Sequence, residues 1–233
     1  MSVKENIRQI RETIAETSEK SGRSSSSVRL MAVTKTVDDD RIIEAIEAGV
    51  DIIGENYIQE AKRKIESMGK SVQWHMIGHL QTNKAKIAAG LFEMIHSVDR
   101  MELAQELNKR ASAAGLTPKI LIEVNISGEK TKNGVPLARA IDLVRNVALL
   151  PNISIQGLMT MPPYFDDPED ARPFFRRLRE LKETIESEKI PRVEMNELSM
   201  GMTGDYIVAI EEGATIVRIG RAIFGERPPR QPK

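Results

Sequence analysis

Eight short apolar runs alternate with helix-like segments along this chain, and this alternation constrains the fold more than any other feature. Each run resembles a strand that is buried on both faces of a parallel sheet. Parallel strands joined by helices place the helices outside the sheet, and eight such units can close into a barrel. The pattern therefore predicts an α/β fold, a single TIM-type (β/α)8 barrel with strands over residues 28–33, 50–54, 72–78, 92–98, 119–125, 153–160, 193–198 and 215–219.

An extra helix precedes the first strand, because valine and isoleucine recur at helical spacing near the N-terminus. The helix after the second strand is predicted to begin with Glu55-Asn56-Tyr57. No Pro-, Gly- or Ser-rich linker divides the chain. We therefore expect one barrel domain over residues 1–233, with an N-terminal helix and loop at 1–27 and a frayed tail at 226–233.

The competing interpretation is an open, doubly wound sheet. Such a sheet usually carries a Gly-rich fingerprint directly after its first strand. This chain has Thr34-Lys35-Thr36 at that position instead. The barrel is therefore the favoured prediction.

Composition excludes several classes of function. Lysine plus arginine (34) balances aspartate plus glutamate (34), which argues against nucleic acid as the main partner. There is no cysteine, so disulfides and thiol catalysis are impossible. Neither a membrane span nor a signal-peptide core is visible, so we expect no membrane partner and a cytoplasmic location. His75 and His79 would lie about 13 Å apart on a strand, so no metal site is expected.

Lys35 follows the first predicted strand, at the end where α/β folds build their ligand sites. A lysine there would be partly desolvated. Desolvation lowers the pKa of the amine and frees it to condense with a carbonyl group. The alternative is a solvated lysine at the end of a strand, since lysine is seldom buried.

Two loops of small and cationic residues follow the seventh and eighth predicted strands, where barrel enzymes often bind phosphate. The first, residues 199–205, supplies Gly201, Gly204 and the hydroxyls of Ser199 and Thr203. The second, residues 218–225, supplies Arg218, Gly220 and Arg221 near the start of a short helix, whose N–H groups favour an anion. Ordinary turn glycines are the alternative explanation for each loop alone.

A lysine and a phosphate pocket in one barrel suggest a ligand that carries both an aldehyde and a phosphate. Pyridoxal 5′-phosphate is the common cofactor with that pair of groups, and lysine holds it through a Schiff base. We assign no catalytic residues in this chain.

Six motifs in this order resemble the pyridoxal phosphate homeostasis protein family. They span most of the chain and read Ala32-Val33-Thr34-Lys35-Thr36, Gly54-Glu55-Asn56-Tyr57, Trp74-His75-Met76-Ile77-Gly78-His79-Leu80-Gln81-Thr82-Asn83-Lys84, Gly157-Leu158-Met159-Thr160-Met161, Leu198-Ser199-Met200-Gly201-Met202 and Val217-Arg218-Ile219-Gly220-Arg221-Ala222-Ile223-Phe224-Gly225.

The resemblance implies a barrel similar to the N-terminal domain of alanine racemase, with Lys35 as the Schiff-base lysine and Asn56 beside the cofactor ring. It further implies that Arg218 faces the pyridine nitrogen and that the phosphate is held by the residues of the two loops, namely Ser199, Gly201, Thr203, Gly220 and Arg221. Two positions depart from the commonest family pattern. Thr203 replaces a frequent serine and keeps the hydroxyl, whereas Arg221 replaces a frequent threonine or serine and loses it.

The resemblance implies a protein that carries, buffers or delivers pyridoxal phosphate within the cell, without turnover of its own. Its partners would be the cofactor and the apo-enzymes that use it, and we expect a monomer or weak dimer. Racemisation needs a second base, which alanine racemase takes from a further domain, and an arginine at the pyridine nitrogen weakens the ring as an electron sink.

Two alternatives remain open. The first is an amino-acid racemase or related pyridoxal phosphate enzyme that uses Lys35 with Tyr57, Tyr164 or His79 as the second base. The second is a regulatory module that binds a protein partner in response to the cofactor.

Overall fold

Eight parallel strands close into a barrel in the computed structural model, which describes residues 2–129 and 131–226. The strands are β1 (Arg29–Val33), β2 (Ile52–Glu55), β3 (Gln73–Met76), β4 (Met94–Val98), β5 (Lys119–Asn125), β6 (Val135–Pro136), β7 (Ser154–Met159), β8 (Val193–Ser199) and β9 (Ile216–Ile219). Every strand except β6 belongs to the barrel; β6 only extends the edge of β5. The predicted (β/α)8 barrel is confirmed.

Two pairings close the barrel. β1 lies beside β9, with Met31 opposite Arg218, and β4 lies beside β5, with Ile95 opposite Ile120. The first and last barrel strands are therefore neighbours, and the segments that follow them meet at the same end of the barrel.

Helices surround the strands. Those formed by the described residues are α1 (Val3–Lys20), α2 (Asp39–Glu47), α3 (Ile58–Met68), α4 (Ala85–Leu91), α5 (Met101–Ala114), α6 (Ala140–Val147), α7 (Arg172–Ser187), α8 (Tyr206–Glu211) and α9 (Arg221–Phe224), with 3-10 turns at Thr82–Lys84, Leu137–Arg139 and Pro168–Ala171. None of them is both long and apolar enough to cross a membrane.

The extra N-terminal helix α1 is confirmed. The Ser2 hydroxyl caps it by accepting from the Glu5 N–H. The buried residues Val3, Ile7, Ile10 and Ile14 pack on the main core, and α1 contacts α2, α8 and α9. Asn6 Nδ2 also donates to the Ile223 carbonyl oxygen at 2.9 Å. The helix thus spans the outside of the junction between the first and last barrel strands.

One predicted boundary is wrong for a physical reason. Glu55 does not open the following helix; it ends β2, and α3 begins at Ile58. The Glu55 side chain is fully buried and forms an ion pair with Lys64 Nζ at 2.7 Å, so a residue typical of solvated helix starts lies inside the protein. Of the predicted tail, residues 227–233 lie outside the described part of the chain.

Candidate functional site

A cavity of about 500 Å³ opens at the carboxyl ends of the barrel strands. This volume falls within the range that is usual for small-molecule sites. Six of the eight residues predicted from the sequence line it, namely Lys35, Asn56, Thr203, Arg218, Gly220 and Arg221. Ser199 and Gly201 lie outside the lining.

Lys35 lies in a tight turn directly after β1 and is half-buried. The Val37 N–H closes the turn by donating to the Thr34 carbonyl oxygen at 3.0 Å. Thr36 has a φ of 61°, whereas Lys35 is not among the described residues with positive φ. This combination is that of a type II turn with Lys35 at its second position, although glycine usually occupies the position of Thr36.

Arg218 supplies a buried cation to the cavity. It lies on β9, where its Nη1 donates to Ser199 Oγ at 2.8 Å and its Nη2 donates to the Thr160 carbonyl oxygen at 2.9 Å. Burial lowers the pKa of its guanidinium to about 10, and the carboxylates of Asp205 and Glu123 partly oppose this shift. The side chain remains charged at neutral pH and is fixed by two hydrogen bonds.

Ser199 lies behind Arg218 in a chain of buried polar groups. Its Oγ is 2.9 Å from His96 Nδ1, and His96 Nε2 is 3.0 Å from His75 Nδ1. Burial is the main cause that lowers the pKa of His75 to about 3 and the pKa of His96 well below its ordinary value, so both rings are neutral. The Ser199 hydroxyl therefore contacts Arg218 and His96 at a position outside the cavity lining.

The two predicted phosphate loops lie side by side. Thr203 Oγ1 accepts from the Ala222 N–H at 3.4 Å, and the Gly201 carbonyl oxygen accepts from the Arg218 N–H at 3.0 Å. Gly201 has a φ of 93°, and a Cβ there would lie 2.6 Å from the Ala209 Cβ. Gly201 therefore lets its loop pack closely on α8, which positions Thr203 at the cavity.

Two further groups face the cavity with hydrogen-bonding capacity. Asn56 Oδ1 is buried and has no hydrogen-bond partner among the described residues. Glu123, on β5, is a buried carboxyl group of the lining. Burial, followed by the nearby charge of Asp99, raises the pKa of Glu123 to about 7, although Arg218 acts in the opposite direction. The cavity thus contains an orphaned acceptor and a group that titrates near neutral pH.

These residues fit a ligand with an anionic group and a carbonyl group. Thr203, Gly220 and Arg221 offer a hydroxyl, backbone and a cation for the anion. Lys35 offers an amine to the carbonyl group. The buried Asn56 Oδ1 has no hydrogen-bond donor among the described residues, and a ligand in the cavity could supply one. Among the described residues, no group of three or more His, Cys, Asp or Glu side chains could hold a metal ion.

Two features of this region are missed by sequence reasoning. His96 is 103 residues from Ser199, and no local pattern links them. Lys64 is fully buried on α3 among apolar residues that include Ala61 and Ile65, and it contacts the turn that holds Lys35. The signal for Lys64 was present, because a charged residue lies within the apolar stripe of a helix.

The candidate second bases differ in whether they line the cavity. His79 and Tyr164 line the cavity, but Tyr164 is 78% exposed. Tyr57 is half-exposed and is not part of the lining.

Residues 2–228 match the family of the alanine racemase N-terminal domain. The chain is 44% identical over 228 residues to the pyridoxal phosphate homeostasis protein of Aquifex aeolicus. The aligned region covers 97% of this chain and 99% of that protein. Among solved structures it is similar to an unknown protein from Bifidobacterium adolescentis, with a TM-score of 0.91, 39% identity and coverage of 95% of this chain and 94% of that one. It is also similar to PipY of Synechococcus elongatus with PLP bound, with a TM-score of 0.80, 33% identity and coverage of 91% and 100%.

Proposed function

We propose that this chain, which belongs to the pyridoxal phosphate homeostasis proteins within the alanine racemase N-terminal domain family, binds pyridoxal 5′-phosphate in the cavity at the carboxyl ends of its strands. The observation that carries the proposal is that Lys35, Arg218 and Thr203 line one cavity. A bound pyridoxal phosphate supplies an aldehyde that condenses with an amine, a ring that withdraws electrons and a phosphate anion. The structure of PipY with PLP bound supports the assignment.

Lys35 provides the amine for covalent attachment. Its nitrogen adds to the aldehyde carbon, and the aldehyde oxygen leaves as water with the two protons that the amine gives up. The step is a condensation and requires no oxidant or reductant. The half-buried position of Lys35 in a turn limits the number of orientations that its amine explores.

The phosphate and the pyridine nitrogen of the ligand would be held by residues of β9 and of the loops that follow β8 and β9. We assign the phosphate to the Thr203 hydroxyl and to Gly220 and Arg221. Arg218, fixed by Ser199 and Thr160, would face the pyridine nitrogen and disfavour its protonation. A ring that stays unprotonated is a weaker electron sink, which suits storage better than carbanion chemistry.

The biological role would be to carry, buffer or deliver the cofactor within the cell, without catalytic turnover, and apo-enzymes that need the cofactor would receive it. The name of the Aquifex aeolicus relative, which refers to homeostasis, supports this role. The alternative is an amino-acid racemase or related enzyme. It is favoured by the presence of His79 and Tyr164 in the lining of the cavity that Lys35 also lines, where either could act as the second base.

Absorption spectra of the wild type and of Lys35→Ala, before and after borohydride reduction, test the proposal. We expect a visible-edge band in the wild type that reduction converts into a stable adduct on the peptide containing Lys35, and no such adduct in Lys35→Ala. Absence of the band after addition of pyridoxal phosphate to the wild type would overturn the proposal. A steady-state assay across amino acids then separates the roles, because turnover well above that of the free cofactor would support the enzyme.

A further inference from the structure

A cluster of fully or partly buried charges lies against the turn that carries Lys35. Lys64 Nζ, on α3, is fully buried and lies 2.7 Å from Glu55 Oε1 and 2.7 Å from Glu60 Oε1. The Thr34 hydroxyl donates to the same Glu55 oxygen. A buried lysine is rare and needs such partners, because an unpaired charge in the interior is costly.

The cluster binds both peptide groups that flank the Lys35 Cα. Lys64 Nζ donates to the Thr34 carbonyl oxygen at 2.6 Å, which belongs to the peptide before Lys35. Glu60 Oε1 accepts from the Thr36 N–H at 2.8 Å, which belongs to the peptide after Lys35. Because Lys64 and Glu60 also bind each other, these two peptides are attached to one rigid unit.

This attachment offsets an unfavourable backbone conformation. Thr36 has a φ of 61°, which is disfavoured for a β-branched residue. The bond from its N–H to Glu60 holds the residue in that conformation and so fixes the direction in which the Lys35 side chain leaves the turn. Residues forced into such conformations persist where the surrounding contacts over-determine them, often at functional sites.

We propose that Lys64 and Glu60 are positioning residues for Lys35, which hold its two flanking peptides so that its amine meets the ligand aldehyde at a productive angle. The inference rests on the proposed function, because it concerns the covalent step at Lys35. A purely structural role for the cluster makes a different prediction: loss of the cluster would then weaken every ligand of the cavity alike.

Two probes separate these roles. Pyridoxal 5′-phosphate can condense with Lys35, whereas pyridoxine 5′-phosphate has the same ring and phosphate but an alcohol in place of the aldehyde. The rate of covalent attachment, followed by absorbance and by borohydride trapping, reports on the position of Lys35. The dissociation constant of pyridoxine 5′-phosphate reports on the rest of the cavity.

The variants are Lys64→Met, which removes the ammonium, and Glu60→Ala, which removes the acceptor for Thr36. Glu60→Gln keeps an oxygen acceptor and serves as the conservative rescue. Glu212→Gln is the matched control, because Glu212 is a buried carboxylate paired with Arg172, Arg176 and Arg179 and lies outside the cavity lining.

We expect covalent attachment to slow by about tenfold or more in Lys64→Met and Glu60→Ala, since small misplacements of reacting groups have large effects on rate. Pyridoxine 5′-phosphate affinity should stay within about twofold of the wild type. Glu60→Gln and Glu212→Gln should attach the cofactor at nearly the wild-type rate. If Lys64→Met fails to fold, Glu60→Ala carries the test, because the Glu60 side chain is 22% exposed.

Wild-type attachment rates in both disruptive variants, or equal losses for both probes, would overturn the inference. Failure of the wild type itself to attach pyridoxal phosphate would instead overturn the proposed function, so the two failures are distinguishable.

Discussion

Arg218 Nη1 lies 2.8 Å from Ser199 Oγ, and through this contact the cavity is joined to the neutral pair His96 and His75 inside the barrel. The Arg218 guanidinium is therefore fixed by a series of hydrogen-bonded side chains that carry no charge of their own. Substitutions in this hydrogen-bonded series should alter both the stability of the protein and the position of Arg218.

Ser199→Ala should lower the free energy of unfolding by about 1–3 kcal/mol, because it leaves a buried Arg218 N–H and a His96 nitrogen without their partner. Ser97→Ala is the matched control, since the Ser97 hydroxyl is also buried but has no hydrogen-bond partner in the part of the chain that the structure describes. Urea denaturation measures the free energy of unfolding of both variants. Similar losses in the two would contradict a stabilising role for the Ser199 hydrogen bonds.

Glu123→Gln should change how stability depends on pH. The pKa of Glu123 is raised from 4.5 to about 7 in the folded protein, so the folded state binds more protons than the unfolded state between these values. The free energy of unfolding therefore falls as pH rises through this window, by about 3 kcal/mol in total. Urea titrations from pH 5 to 8 without added cofactor should show that the free energy of unfolding of the wild type, minus that of Glu123→Gln, falls as pH rises through this range.

The lowered pKa of His75 acts in the opposite direction, because the unfolded state then takes up protons as pH falls below 6.5. This contribution is shared by the wild type and Glu123→Gln. The difference between the two titrations therefore isolates Glu123. A difference that is constant from pH 5 to 8 would contradict the raised pKa.

Thr203→Val should weaken pyridoxal phosphate binding by roughly 10–100-fold, since it removes the hydroxyl that we propose donates to the charged phosphate. Thr203→Ser retains the hydroxyl and should bind within a few-fold of the wild type. Equilibrium titration followed by absorbance measures both affinities. Pyridoxal, which lacks the phosphate, should not distinguish the variants; if it does, the hydroxyl contacts another part of the ligand.

Thr36→Gly should be more stable than Thr36→Ala by about 1 kcal/mol, because an L-residue is disfavoured at a φ of 61° and glycine is not. Both variants lose the threonine side chain, so their comparison isolates the backbone term. Gly22→Ala provides the reference, since Gly22 has a φ of 71° and an added Cβ would meet nothing within 4 Å. Thermal unfolding of these three variants and of the wild type should show that glycine gives the more stable protein than alanine at both positions.

The barrel could be predicted because strand and helix periodicity are local properties of the sequence. The alternation gave all eight barrel strands, whereas β6 escaped because a strand of two residues has no measurable period. The start of α3 was misplaced for a different reason: Glu55 is acidic, and only the distant Lys64 explains its burial.

The candidate site was predictable only as far as strand ends reveal it. Lys35 lies just after the first barrel strand, Arg218 is the last residue but one of the last barrel strand, and both line the cavity. Ser199 was expected at the phosphate, but its hydroxyl binds Arg218 and His96. Such contacts depend on strand register and on side-chain rotamers, which no short sequence window specifies.

The pairing of β1 with β9 has a consequence for synthesis of the protein. Lys35 is among the first parts of the barrel to leave the ribosome, and Arg218 is among the last. A nascent chain therefore lacks the cavity until the last barrel strand has been translated, and pyridoxal phosphate can stabilise only a chain whose barrel has closed. The cofactor would then stabilise the closed barrel, while the earlier folding steps proceed without it.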